Sequence, residues 1–172
     1  MMKKYITGLV LLLSVVCTAS AQKYALIDTE YILKNIPAYE QANRQLEEQS
    51  RKYQTQVEAL AKEAQSLFQD YQSKAETLSQ TERTKREEAI VEKEKKAAEL
   101  KRNYFGPEGE LVKMRQRLIS PIQDQVYEAV KSVATRHHYY MVLDRATAAG
   151  IIFADPQIDI SDEVLAALGY SN

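Results

Sequence analysis

The sequence predicts an α+β protein: a small β body made from an N-terminal strand and a C-terminal β-hairpin, with a long antiparallel α-helical coiled-coil hairpin projecting from it. Three observations predict this. Apolar residues recur every seven positions between Tyr39 and Leu118. Two short apolar runs, Tyr140 to Leu143 and Ile151 to Ala154, flank a turn containing Gly150, and a further run, Tyr24 to Ile27, stands near the start. Charged side chains make up 27% of the 172 residues and there are only five glycines, a composition that suits an elongated helical chain.

Residues 1–21 read as an export leader and are set aside from the fold. Lys3 and Lys4 are followed by the apolar stretch Ile6 to Cys17, and Ala19 and Ala21 supply the small residues that place cleavage before Gln22. Val16, before Cys17, is larger than the glycine or alanine of a lipidation signal, and the apolar stretch is too short for a comfortable membrane span. Cleavage removes the only cysteine and brings the net charge from −1 to about −3. The exported chain therefore has neither disulfides nor thiol chemistry, and its charge gives no support to a nucleic-acid partner.

Residues 22–36 form the first part of the body: the strand from Tyr24 to Ile27, then Asp28, which caps a short helix running through Leu33. Residues 37–137 form the helical arm. Tyr39, Leu46, Tyr53, Leu60 and Leu67 share one seam position, and Val57, Ala64, Tyr71 and Leu78 share the other, interrupted early by Asn43 and Ser50. The pattern fails near residues 78–83, the expected tip, and resumes with Ile90, Ala97, Tyr104, Leu111 and Leu118. Forty residues of such helix would be roughly 60 Å long. The segment Phe105-Gly106-Pro107-Glu108-Gly109 and Pro121 each predict a kink or short break in the returning helix, which the continuing heptads then resume.

Residues 138–172 complete the body. The hairpin predicted there pairs with the N-terminal strand in a three-stranded sheet whose core is Leu26, Ile27, Val142, Leu143, Ile151 and Ile152. A last helix follows, with Ser161 as N-cap, acidic residues in its first turn and Gly169 as its stop. So small a sheet leaves open edges and little buried surface, which predicts a homo-oligomer with the same residues at its centre.

No residues are assigned catalytic, cofactor-binding or metal-binding roles, and an enzyme is not expected. Gly106 and Gly109 lack the context of a phosphate loop. His137 and His138 are adjacent, so they point in different directions and lack a third ligand at useful spacing. Glutamates on a solvated helix have no pocket to perturb them. Tyr53, Tyr71 and Tyr104 occupy seam positions and read as structural.

The segments KYALIDTEYIL, SPIQDQVYEAVKSVA and YYMVLDRATAAGIIFADPQIDISDEVLAALGY, with the charged helical hairpin between the first two, resemble the Skp/OmpH family of periplasmic chaperones. The resemblance covers essentially the whole mature chain. It implies a trimer whose β body carries helical tentacles around a cavity, and an ATP-independent holdase for unfolded outer-membrane β-barrel proteins in the periplasm, with no stable membrane insertion. Phe68, Val91 and Phe105, each one residue beyond a seam position, are the candidate client contacts. One departure is charge: the best-known members are strongly basic, whereas this chain has a pI near 6.2. Residues 82–102 still hold eight Lys or Arg against six Glu, and residues 144–163 hold one Arg against five acids. A structural coiled-coil adaptor or spacer of the cell envelope is the alternative reading.

Overall fold

The computed structural model describes residues 23–170. The leader, with Ala19, Ala21 and Gln22 at its expected cleavage point, lies outside the described residues. The chain divides into two units, one containing the residues up to Tyr31 together with those from Ala129 onward, the other Ile32–Glu128.

In the first unit, strand β1 (Tyr24–Ile27) pairs in parallel with β2 (Met141–Asp144), placing Tyr24 beside Met141, Leu26 beside Leu143 and Ile27 beside Asp144. The sheet has two strands. The expected C-terminal hairpin is absent: residues 151–154 are not a strand, and the third position beside β1 is taken by Asp159, through a single parallel bridge to Leu26. An apolar run forms a strand only if it pairs with a neighbour; residues 151–154 do not pair with the outer edge of β2, and β1 uses its second edge elsewhere, where the Leu26 carbonyl accepts from Ile160 N–H. Of the six residues expected in the core, Leu26 and Ile27 are buried, Val142 and Ile151 are half-buried, and Leu143 and Ile152 are exposed, Ile152 completely. Val133, Val164, Leu165 and Ile160 fill the interior with them.

Polar side chains fasten this unit. The Asp144 carboxylate accepts four hydrogen bonds, from the Thr29 N–H (3.1 Å) and hydroxyl (2.7 Å), the Ala146 N–H (3.1 Å) and the Thr147 hydroxyl (2.9 Å). Asp28 caps the short helix α1 (Thr29–Lys34) by accepting from Tyr31 N–H, and Arg145 bridges Asp28 and Asp159. The last helix begins at Ser161, one residue earlier than an N-cap serine would place it. The Ser161 hydroxyl accepts from Asp28 N–H, and Asp159 caps the Ser161 N–H instead. Gly169, at φ 86°, ends that helix, with Tyr170 N–H donating to the Leu165 carbonyl.

The second unit contains helix α2 (Pro37–Lys74), with proline at its first position, and helix α3 (Gln80–Phe105). The turn between them is residues 75–79. Ser79 caps α3 through a reciprocal capping box with Glu82, the sequence signal that sets this end of the turn. Gly106–Gly109 break the helix, and α4 (Glu110–His137) resumes beyond. Pro121 makes no second break, because one missing hydrogen bond inside a long helix leaves its neighbours' bonds in place. The break also changes the seam. Ile90 and Ala97 are buried before it; afterwards the buried residues are Ile119, Ile122, Val126, Ala129 and Val133, whereas the expected Leu111 and Leu118 are half-buried. Ile119, Val126 and Val133 stand one residue beyond the expected seam position, whereas Ile122 and Ala129 keep the position four residues on from it.

A Cβ added at Gly106 would stand 2.4 Å from the Arg102 carbonyl oxygen, and one at Gly109 2.7 Å from that of Tyr104, whereas Gly150 has nothing within 4 Å. Gly106→Ala is expected to cost on the order of 2 kcal/mol and Gly150→Ala less than about 0.5 kcal/mol, read as shifts in the urea midpoint. Burial raises the Asp144 pKa, but its four hydrogen bonds outweigh that and hold it below the ordinary value. Asp28 is also held low, first by its bond from Tyr31 N–H and further by Arg145. Depressed folded values stabilise the protein above the unfolded pKa of about 3.9, and that contribution disappears as pH falls through the folded values. Urea titrations at decreasing pH should therefore show stability falling below about pH 5, and Asp144→Asn should flatten that dependence while lowering stability at neutral pH.

Candidate functional site

Among the described residues, no group of three or more His, Cys, Asp or Glu is placed to hold a metal ion. His137 lies 2.7 Å from Glu163, which Arg136 approaches to 3.6 Å, and its ring stacks on Tyr139, an ordinary helix-end ion pair. Asp28, Asp144 and Asp159 spend their oxygens on backbone N–H groups, threonine hydroxyls and Arg145. No described helix is long and apolar enough to cross a membrane.

The exposed apolar side chains of the second unit are more informative. Helices α2 and α3 run antiparallel, as their cross-helix partners show: Tyr53 with Tyr104, Glu63 with Lys93, Asp70 with Arg86. Tyr53 stacks on Tyr104 with ring centroids 3.7 Å apart and meets Phe105 edge-on at 6.5 Å, in keeping with seam positions. Farther out only Ala64, Ile90 and Ala97 are buried, while the seam residues Leu60, Leu67, Tyr71 and Leu78 remain half-buried or exposed.

This leaves two unlike faces. One carries the cross-helix polar links, Tyr104 to Gln56, Lys93 to Glu63 and Arg86 to Asp70, and a shallow groove of about 650 Å³ containing Leu67 among Lys62, Glu63, Asp70 and Lys93. The other holds a groove of about 380 Å³ lined by Ala61, Ala64, Gln65, Phe68, Glu94 and Ala97. Adjacent residues Leu67 and Phe68 thus open onto opposite sides.

Phe68, Val91 and Phe105 are 46%, 60% and 40% exposed. Val91 lies one helical turn before Glu94, and Phe105 three turns after it, so helical spacing puts both on the side of the Phe68 groove. The three candidates therefore share a face. They do not form one patch: Phe105 is level with Tyr53, and the fifteen residues from there to Phe68 span roughly 22 Å. The heptad alone could have found this arrangement, because residues following seam positions lie on the same side of an antiparallel pair. What it could not show is that the opposite face is closed by ion pairs. In the first unit Tyr24, Tyr140, Met141, Leu143, Ile152 and Phe153 are exposed, a second apolar surface that includes the outer face of the sheet.

The family profile "Outer membrane protein (OmpH-like)" matches residues 23–168. The Chaperone protein Skp of Yersinia enterocolitica is 29% identical over 166 residues, covering 95% of this chain and 98% of that protein. The Chaperone protein Skp of Yersinia pseudotuberculosis serotype I (strain IP32953) is 30% identical over 168 residues with the same coverage. Among solved structures, an OmpH-like outer membrane chaperone from Caulobacter crescentus CB15 superposes with a TM-score of 0.66, over 86% of this chain and 84% of that one, at 14% identity, a likeness of fold.

The Tyr53 cluster is the chief aromatic contact between α2 and α3. Tyr53→Ala should destabilise the hairpin by about 1 to 3 kcal/mol, while Tyr127→Ala, on a side chain that is 65% exposed, should leave the thermal midpoint nearly unchanged.

Proposed function

As the chain belongs to the OmpH-like outer membrane protein family, we propose that it is an ATP-independent holdase chaperone of the periplasm. It binds unfolded outer-membrane β-barrel proteins between its coiled-coil arms and keeps them from aggregating. The observation that carries this reading is the exposed set of Phe68, Val91 and Phe105 on one face of a long hairpin. Separated apolar contacts each stabilise a bound chain slightly, so a client is held without a unique sequence and released without fuel. The Skp names of relatives matching nearly the whole chain support the same conclusion.

The holdase works as a homo-oligomer, three copies by resemblance to the family. Met141 and Leu143 on the edge strand, with Ile152 and Phe153, supply apolar surface for the contact. Residues 22–36 and 138–172 form its body, and residues 37–137 form each arm. Export with cleavage before Gln22 delivers it to the periplasm.

The test is light scattering by a β-barrel protein diluted from denaturant, with and without the purified mature chain, at low and high salt. Suppressed aggregation with little salt dependence is expected, since exposed charges are screened at high ionic strength and apolar contacts are not. No suppression at either salt would favour a structural adaptor of the envelope. Replacing Phe68, Val91 and Phe105 together by Ser should weaken protection about tenfold while circular dichroism and assembly mass stay the same. Unchanged protection would dismiss these three as client contacts.

A further inference from the structure

The acidic residues of the hairpin fall into two groups. Glu63 and Asp70 meet Lys93 and Arg86 across the helices, and Glu92 meets Lys96 one turn along α3. Glu94, two residues from Glu92, is paired with no described lysine, arginine or histidine. Its helix explains why: the positions three and four residues to either side are Ile90, Val91, Ala97 and Ala98, none of which carries a charge. The next cation along that side of α3 is Lys101, seven residues and roughly 10 Å away. Glu87, seven residues before Glu94, and Glu58, three before Ala61, lie on the same flank by helical spacing. They accept from the Tyr71 hydroxyl and the Gln54 carboxamide and form no ion pair.

Glu94 stands on the wall of the groove of about 380 Å³, beside the buried Ala64 and Ala97 and the exposed Ala61, Gln65 and Phe68. Three alanines leave a shallow trough, Phe68 offers a ring that is 46% exposed, and Glu94 and Gln65 offer acceptor oxygens. Such a trough suits a ligand that is apolar along its length and positive at its end. Arginine and lysine side chains have that form, an aliphatic stem with a cationic head. Arginine fits better, because its planar fork can donate to a carboxylate and a carboxamide together and stack on an aromatic ring. An acidic side chain would set a second carboxylate against an unpaired one. An uncharged side chain would strip water from Glu94 and give it no partner, which is costly. A metal ion would use Glu94 and gain nothing from the alanines.

We propose that the groove formed by Ala61, Ala64, Phe68, Glu94 and Ala97 seats an arginine or lysine side chain of the bound client, so that the arm favours unfolded segments in which a basic residue stands among apolar ones. Val91, one turn before Glu94 on the same side and 60% exposed, receives a neighbouring apolar residue. This rests on the holdase reading and adds to it a site and a substrate preference. A strongly basic cavity would favour acidic clients; this flank of the arm favours basic segments.

The test measures binding of two labelled peptides to the full mature chain by fluorescence anisotropy. Both peptides carry the same alternating apolar residues, with arginine at the intervening positions of one and glutamate at those of the other. At low salt the arginine peptide should bind about tenfold more tightly, and salt should narrow the preference without ending binding, since the apolar contacts remain. Glu94→Gln should weaken the arginine peptide about threefold and Glu94→Lys about tenfold. Glu92→Gln, which removes an ion-paired carboxylate on the opposite side of α3, should change it less than about twofold, at equal helicity and assembly mass. Equal affinity for the two peptides, or equal losses in Glu92→Gln and Glu94→Gln, would overturn the assignment. Displacement of the arginine peptide by magnesium chloride, where sodium chloride of the same ionic strength leaves it bound, would make this a metal site and overturn it too. A wild-type chain that binds neither peptide nor a urea-unfolded β-barrel protein would overturn the holdase reading as well; one that holds the barrel protein without discriminating the peptides would overturn this inference alone.

Discussion

Parallel pairing of β1 with β2 is the constraint on which the rest of the structure depends. Antiparallel strands can be joined by a two-residue turn, but parallel strands require a crossover of a dozen residues or more. Here the crossover is the entire helical hairpin. The arm is thus the connection that makes the sheet possible, and it must return the chain so that Met141 arrives beside Tyr24. Asp144 secures the return, its carboxylate holding Thr29 across a separation of 115 residues. A carboxylate with four partners fixes both position and orientation, which a greasy contact in so small a core would not.

The arm divides its chemistry by side. Ion pairs and the Gln56–Tyr104 bond stitch α2 to α3 along one face, and the Tyr71 hydroxyl adds a bond to Glu87 beside the seam. Exposed phenylalanine and valine are costly to solubility on any protein; spread along a helix pair and separated by glutamine and alanine, they never become a contiguous patch of the size that drives self-association. Weak contacts distributed in this way suit a surface that must hold many sequences and let each go.

Much of this was legible in the sequence, and the failures have identifiable causes. Heptads at Tyr53, Ala64, Ile90 and Ala97 announce the helices, because seam spacing is local and survives any tertiary context. The Ser79–Glu82 capping box that starts the returning helix went unread, and the heptads alone suggested a later turn. The one-residue shift of one seam position after Gly109 escaped because Leu111 and Leu118 keep the old period in sequence, while burial follows Ile119, Val126 and Val133. The C-terminal hairpin was misread for a different reason. Ile151 to Ala154 is as apolar as a strand, but apolar composition does not say whether a neighbour meets it, and in the structure β2 pairs with β1 alone. At the candidate site, Phe68, Val91 and Phe105 could be named in advance; the ion pairs on the opposite face could not, since heptad spacing does not say which charged side chains meet across the two helices.

The break at Gly106–Gly109 has a mechanical consequence. Tyr53 stacks and packs against Tyr104 and Phe105, so the middle of α2 passes beside the interruption, and α2 itself is an unbroken helix of 38 residues. The pair behaves as a jointed rod bound to a splint. Bending at the joint must flex the splint, so the compliance of the arm is set by a helix that carries no glycine at all, and softening α2 near Tyr53 would loosen the arm more than any change to the joint.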